Sequence, residues 1–125
     1  RSSMTADDGR PLIHAGDVYW VDFDPTKGSE QAGARPALVI SDVAYNRRSD
    51  LVIVCPITRN TRPWPTKIVM VDEPDIEGAV LVDQVRSLHR ASRGFRFAGR
   101  VSPELLSAVR AKLFEIIGPG SKDAD

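Results

Sequence analysis

Short apolar runs rich in β-branched residues recur along most of this chain, and proline, glycine or charged residues close each run within a few positions. The runs cover residues 17–23, 37–40, 51–57, 67–71, 78–88 and 94–100, the fifth being one long strand or two broken ones. Runs of this length with closely spaced turn signals are typical of antiparallel strands. The pattern predicts a small, curled antiparallel sheet or barrel of about six strands.

One amphipathic helix is expected after the strands. Ser102, Pro103 and Glu104 supply an N-cap, a proline at the first helical position and an acid in the first turn. Apolar residues then repeat at helical spacing as far as Ile117, and a Gly-Pro pair ends the pattern. Because only one face is apolar, the helix should pack on the sheet. The expected fold class is mainly β with a C-terminal helix.

The length of the chain fits one domain. It has 125 residues, of which 42% are hydrophobic and 27% charged, as in an ordinary globular protein. We expect the domain to span residues 11–118, between a disordered segment at 1–10 and a disordered tail at 119–125. Residues 1–3 precede Met4 and are interpreted as a cloning remnant.

Two observations argue against a membrane protein and against a disulfide-bonded one. No apolar run approaches the ~20 residues that a membrane-spanning helix needs. The single cysteine, Cys55, leaves no partner for an intrachain disulfide and no set of cysteine ligands for zinc. With no signal peptide at the front, we expect a cytoplasmic protein.

Charge is balanced overall but segregated along the chain. Seventeen cations offset seventeen acids, so the high pI typical of a nucleic-acid binder is absent. Residues 84–103 nevertheless contain five arginines and no acid, whereas residues 72–77 contain four acids. The arginines are Arg86, Arg90, Arg93, Arg96 and Arg100. We interpret the acids as a solvated face of a turn.

Familiar catalytic motifs are missing from the sequence. It has no P-loop, no nucleophile elbow, no zinc-protease helix and no dinucleotide-binding glycines. Its two histidines, His14 and His89, are isolated and are expected at the surface. We therefore expect neither a metal nor a cofactor.

Two polar segments remain as candidates for chemistry. Residues 24–36 form a long polar stretch with two glycines between two strands, which indicates a mobile binding loop or an ordinary surface loop. In the second segment the apolar run at 51–57 ends in Thr58, Arg59 and Asn60. Taken alone, that is a strand end followed by a polar turn.

Four stretches together resemble the MazF/PemK family of toxins. They are WVDFDPTKGSEQAG at 20–33, the Arg35-Pro36-Ala37 triplet, Pro56 with Thr58, and DQVRS at 83–87. The similarity runs from about residue 16 to 118. It implies an SH3-like barrel, a homodimer, and a metal-independent, sequence-specific endoribonuclease held inactive by a MazE-type antitoxin in a type II toxin–antitoxin system.

The resemblance also assigns roles to single residues. Arg35 and Thr58 match the two positions that the family uses for catalysis, which proceeds by attack of a ribose 2′-OH on the adjacent phosphate and leaves 2′,3′-cyclic phosphate and 5′-OH ends. A guanidinium suits the charge that develops on the phosphorane oxygens, and a hydroxyl can donate one more hydrogen bond. Glu30 is the candidate base, or it only orders the loop.

Contacts with single-stranded RNA are implied for a further set of residues, which match polar or aromatic groups of the family's substrate groove. These are Phe23, Lys27, Ser29, Gln31, Asn46, Asn60 and Gln84. The loop at 58–64 is more basic and stiffer than is typical of the family, and Ala34 replaces a residue that is often larger. These departures leave open which RNA motif is recognised, the resemblance suggesting one that contains ACA.

Three alternatives stay open at this point. A CcdB-like toxin would bind gyrase without being an enzyme, and the end of its helix would make the contact. A non-catalytic RNA-binding module would keep the groove without a catalyst. Finally, Arg35 could pin the loop through an ion pair with Glu30 or Asp24 instead of acting on RNA.

Overall fold

Seven strands and two helices occupy residues 10–24 and 34–120, the part of the chain that the computed structural model describes. The expectations for residues 1–9 and 121–125 lie outside the described residues. The elements are β1 (Asp17–Asp22), β2 (Ala34–Val39), α1 (Val43–Arg48), β3 (Leu51–Thr58), β4 (Lys67–Val69), β5 (Ala79–Leu81), β6 (Arg86–His89), β7 (Arg96–Arg100) and α2 (Pro103–Ile117).

The strands form one antiparallel sheet with the order β4-β5-β3-β2-β1-β7. Strand β6 pairs with the first half of β3, from the Leu51–His89 pair to the Val54–Arg86 pair. Since β4 and β7 stand at the two ends of the path, the sheet is curled but not closed. The predicted class, a small barrel-like sheet followed by a helix, is confirmed.

The run at 78–88 consists of two strands separated by a 3-10 turn at Val82–Gln84. Strand β5 pairs with the end of β3 through Ile57 and Thr58, whereas the pairing with β6 stops at Val54. Pro56 therefore lies in the gap between these two partners. The gap accommodates a residue that has no backbone N–H to donate.

Strand β2 begins three residues earlier than the sequence predicts, and it contains Pro36. The pairing with β1 extends from Val18–Leu38 to Asp22–Ala34, but the pairing with β3 starts only at Ala37. At Pro36 the strand thus has a paired neighbour on one side only, and a proline is tolerated there as at a sheet edge.

Two apolar clusters pack on the sheet. The first contains residues of β1, β2, β3 and β5 together with Leu105 and Val109 of α2. The second is built around Tyr19, Val39, Val54 and Leu88, with Phe23 and Phe95 packed against it. Alternate residues of β2 and β3 point into the two clusters, as the two-residue period of a strand requires.

Helix α2 has the bounds that the sequence predicts. The hydroxyl of Ser102 accepts a hydrogen bond from the backbone N–H of Leu105 and donates one to the carboxylate of Glu73. The segment at 41–50 contains a short helix, α1, capped by Asp42. In the described part of the chain, neither helix has the length and apolarity needed to cross a membrane.

Candidate active site

Arg35 and Thr58 lie at the same end of the sheet. Strands β2 and β3 are antiparallel neighbours, and Ala37 of β2 pairs with Pro56 of β3. Arg35 stands two residues before Ala37 and Thr58 two residues after Pro56, so both lie just beyond the paired region, at the same end of the two strands. The structure thus brings together two residues that are 23 positions apart in the sequence.

Both residues line one cavity of about 530 Å³ at this end of the sheet. We call it the catalytic pocket, because the family resemblance implies catalytic roles for Arg35 and Thr58. Its apolar wall is formed by side chains such as Trp20, Ile57 and Ile76. Its polar lining residues are Arg35, Thr58, Arg59, Asp75 and Glu77. An apolar wall with a few converging polar groups is the usual build of a small-molecule or substrate site.

The hydroxyl of Thr58 is oriented by the chain that follows it. Its oxygen accepts a hydrogen bond from the backbone N–H of Asn60 at 3.1 Å. Since this bond uses a lone pair of the oxygen, the hydroxyl proton remains available for donation. The next residues are held by Lys67, whose ammonium group donates to the carbonyls of Asn60 and Arg62, both at 2.8 Å.

The acidic segment reaches the pocket because Gly78 lets it pass close to β3. A Cβ atom at Gly78 would stand 2.4 Å from the carbonyl oxygen of Thr58, and the residue has a φ of +134°. Both the contact and the conformation favour glycine. Asp75 and Glu77 are exposed, as predicted for a solvated face, but they also line the pocket, which sequence reasoning did not detect.

The carboxylates of Asp75 and Glu77 differ in the contacts that they make with the rest of the protein. The carboxylate of Asp75 accepts a hydrogen bond from the backbone N–H of Arg100 at 3.4 Å, which ties the segment to β7. Among the described residues, no ion pair or side-chain hydrogen bond involves Glu77. Glu77 is therefore the pocket carboxylate that is available to a substrate.

A second feature lies beside the pocket, where two guanidinium groups approach the half-buried ring of Phe23. The Cζ atom of Arg35 is 5.8 Å from the ring centroid, and the Cζ atom of Arg86 is 5.3 Å from it. Both distances are within the range of cation–π contacts. We call these three residues the Arg–Phe–Arg cluster. In the sequence, Arg86 could have been singled out because it lies in the DQVRS stretch, one of the four that carry the family resemblance.

Arg35 makes no ion pair with a carboxylate in residues 10–24 and 34–120. The predicted alternative, in which it pins the loop through Asp24, therefore has no support from the described contacts. The other partner named in that alternative, Glu30, lies outside the described residues, as do Lys27, Ser29 and Gln31.

The remaining predicted RNA contacts separate into two kinds. Asn60 and Gln84 are exposed, the first following Thr58 and the second ending the 3-10 turn before Arg86. Asn46 is fully buried, and its amide donates to the carbonyls of Ile13 and Ser41. The hydroxyl of Ser41 donates to its amide oxygen. Since Asn46 has no surface to offer, we remove it from the candidate RNA contacts.

The arginine-rich segment is used in part within the fold. Arg90 donates to the carbonyl of Pro11, and Arg93 donates to the carbonyls of Asp22 and Phe23. Arg100 pairs with the buried carboxylate of Asp17 at 2.9 Å. Arg86 and Arg96 are exposed, and Arg96 lines a second cavity of about 260 Å³ that shares Trp20 and Ala34 with the catalytic pocket.

Comparison with known proteins gives consistent results. The sequence model of a family described as PemK-like, MazF-like toxin of type II toxin-antitoxin system matches residues 14–117. The endoribonuclease toxin MazF of Escherichia coli (strain K12) is 43% identical over 103 residues, which cover 82% of this chain and 92% of that protein.

Solved structures of similar proteins share the fold. A crystal structure of MazF from Deinococcus radiodurans has a TM-score of 0.75 and 35% identity, covering 86% of this chain and 98% of the other. A MazE–MazF complex from the same organism has a TM-score of 0.74 and 31% identity, with coverage of 87% and 98%.

Proposed function

The chain belongs to the family of PemK-like, MazF-like toxins of type II toxin–antitoxin systems, and we propose that it is a metal-independent endoribonuclease that cuts single-stranded RNA at the catalytic pocket. The observation that carries this proposal is the convergence of Arg35 and Thr58 on that pocket. The CcdB-like alternative is not favoured, because similar proteins from Escherichia coli are endoribonucleases by name.

In the proposed reaction, a ribose 2′-OH attacks the adjacent phosphate and forms a bond to phosphorus, while the bond to the 5′-oxygen of the next nucleotide breaks. The departing 5′-oxygen takes a proton from water and becomes the 5′-OH end. Negative charge develops on the oxygens of the pentacovalent intermediate. The guanidinium of Arg35 and the hydroxyl of Thr58 stabilise that charge as fixed donors, which need no reorganisation during the reaction. Arg35 acts mainly by charge, since its pKa is too high for easy proton donation.

The attacking hydroxyl must lose its proton to a base. Glu30 is the base predicted from the sequence, and Glu77 is the carboxylate that lines the described pocket. A general base gives a pH–rate profile that rises through the pKa of its carboxyl group. The pH–rate profiles of Glu30→Gln and Glu77→Gln are therefore compared with that of the wild type. The variant whose profile loses the rising limb identifies the base.

RNA binding is assigned to the surface around the pocket. Phe23 provides a half-buried aromatic ring beside Arg35, and Asn60 provides an exposed amide beside Thr58. Gln84 provides a second exposed amide, two residues before Arg86. Single-stranded RNA is recognised through unstacked bases that stack on aromatic rings and form hydrogen bonds along their edges. Lys27, Ser29 and Gln31 of the loop are proposed to contribute further contacts.

The experiment is incubation of the purified protein with a defined single-stranded RNA in the presence of EDTA. We expect cleavage at a short motif, with 2′,3′-cyclic phosphate and 5′-hydroxyl ends. An RNA with 2′-deoxyribose at the cut position should bind and stay intact, because the nucleophile is missing. Activity that requires magnesium, or cleavage of the deoxy-substituted RNA, would show that the proposed reaction is wrong.

An antitoxin of the MazE type is the proposed protein partner, in the cytoplasm. The similar Deinococcus protein has been crystallised with MazE. A groove that attracts RNA phosphates is also suited to an acidic, initially disordered segment that folds on binding. We place part of this contact in the segment from Arg86 to Arg100.

A further inference from the structure

The Arg–Phe–Arg cluster is built so that its two guanidinium groups are held near one another. Arg93 donates to the backbone carbonyl of Phe23 at 2.9 Å, which anchors the backbone that carries the ring. Arg86 begins β6, where it pairs with Val54 of the second apolar cluster. The distances of 5.8 Å and 5.3 Å add up to the largest separation that the two Cζ atoms can have, about 11 Å.

The cluster carries two positive charges that the described residues leave without an anion. In residues 10–24 and 34–120, neither Arg35 nor Arg86 forms an ion pair, whereas Arg100 of the same segment pairs with Asp17. Two like charges beside one ring repel each other, so the arrangement is stabilised when an anion lies between or next to them. A guanidinium that uses its planar face on a ring keeps its N–H groups for such an anion.

We propose that Arg86 binds a phosphate of the RNA backbone adjacent to the scissile phosphate held by Arg35 and Thr58. This inference rests on the proposed function. A separation of up to about 11 Å is a span that one or two nucleotides of a single strand cover. The ring of Phe23 is in contact with both guanidinium groups. Arg86 is thus a positioning residue that fixes which ribose stands beside Arg35.

A positioning role predicts a specific kinetic pattern. Arg86→Gln should raise KM and the Kd for uncleavable, 2′-deoxy-substituted RNA by roughly tenfold or more, since a hydrogen bond to a charged group is lost. The value of kcat should change much less than in Arg35→Ala. The slope of log affinity against log salt should decrease by about 0.7, the value for one phosphate contact on a single strand. Arg86→Lys should restore the salt slope but only part of the affinity.

The matched control is Arg48→Gln, which removes an exposed arginine from α1, a helix that contributes no residue to the cluster. It should leave both the affinity and the salt slope nearly unchanged. Thermal melting of each variant separates a loss of fold from a loss of binding, because Arg86 also contacts the ring of Phe23.

A scan with neutral methylphosphonates locates the contact. In the wild type, neutralising a phosphate that the protein contacts should lower the affinity for the RNA. In Arg86→Gln, one position next to the scissile phosphate should become insensitive. If no position changes its sensitivity, or if Arg86→Gln weakens only the antitoxin and not RNA, the proposal is wrong. If the wild type itself does not cut RNA, the proposed function has failed instead.

Discussion

Arg35 brings a guanidinium to the pocket and Thr58 brings a hydroxyl. The effect of each group on the cleavage rate is therefore measured with a separate substitution. Arg35→Ala removes the charge that we propose faces the phosphorane, and loss of one fixed donor in other enzymes costs ~10²–10³ in rate. We expect the cleavage rate to fall at least that far. Thr58→Val keeps the β-branched shape and deletes only the hydroxyl, so it measures the hydrogen bond.

Affinity for the deoxy-substituted RNA distinguishes catalysis from loop anchoring. If Arg35 acts on the phosphate in the transition state, Arg35→Ala retains most of the binding while cleavage is lost. If it pins the loop through Glu30, binding and cleavage fall together and Glu30→Gln behaves in the same way. Arg35→Ala and Thr58→Val should both stay folded, because neither Arg35 nor Thr58 belongs to the buried core.

Cys55 provides a pH-dependent test of the packing in the first apolar cluster. Burial, aided by the nearby carboxylate of Asp83, raises the pKa of its thiol from the usual 9.0 to about 12. The native state therefore keeps the proton between pH 9 and 12, whereas the unfolded state releases it. The contribution of the protonated thiol to the free energy of unfolding is fully present below pH 9, and it should be lost as the pH rises towards 12.

The measurement is the free energy of unfolding of wild type and Cys55→Ala from pH 7 to 11. The alanine variant should be less stable at pH 7, because a buried side chain has been shortened. The difference should shrink above pH 9, since alanine does not titrate. Tyr19, whose pKa is also raised by burial, is present in both proteins and cancels. A difference that stays constant with pH would contradict a buried, protonated thiol.

Among the elements, the helix and the central strands were predictable because their signals are local. Helix α2 has its cap, its first-turn proline and its apolar spacing within residues 102–118. The early start of β2 at Ala34 was missed, because Pro36 is a strand breaker unless one side of the strand is unpaired. That condition depends on a neighbouring strand and is invisible in the local sequence.

The same limit applies to the site. Arg35 and Thr58 could be named from the sequence only through the family resemblance, since nothing local to either residue indicates catalysis. Asn46 was misassigned because a buried asparagine and a surface asparagine look alike in a sequence. The approach of Asp75 and Glu77 to the pocket depends on the close passage of Gly78 beside Thr58, which is a tertiary contact.

The arginine-rich segment around β7 yields a prediction about antitoxin binding. Arg96 is exposed, so Arg96→Glu should weaken the complex with an acidic MazE-type peptide by roughly tenfold or more, as like charges oppose each other. Arg93→Glu should instead lower the melting temperature, because Arg93 donates to the carbonyls of Asp22 and Phe23. Calorimetric titration and thermal melting check the two effects. Unchanged peptide affinity in Arg96→Glu would remove Arg96 from the interface.

At the scale of the whole molecule, the end of α2 carries a large exposed apolar surface. Phe114 and Ile117 are 64% and 67% exposed, and they border a cavity of about 320 Å³ between α2 and β3. Ile40, Ile53 and Leu113 also line this cavity. The surface offers both protruding side chains and a depression, so it can pair with a copy of itself around a two-fold axis.

We therefore expect a homodimer that uses the end of α2. Sedimentation of the wild type at micromolar concentration should give twice the chain mass of 13.7 kDa. Phe114→Asp should shift the protein towards the monomer, because each large apolar side chain removed from water contributes roughly 1.5–3 kcal/mol. The matched control is Val71→Asp, at an apolar residue that is 67% exposed next to β4, and it should leave the dimer intact. A monomeric wild type would exclude the dimer, and a dimeric Phe114→Asp would show that its interface is not at the end of α2.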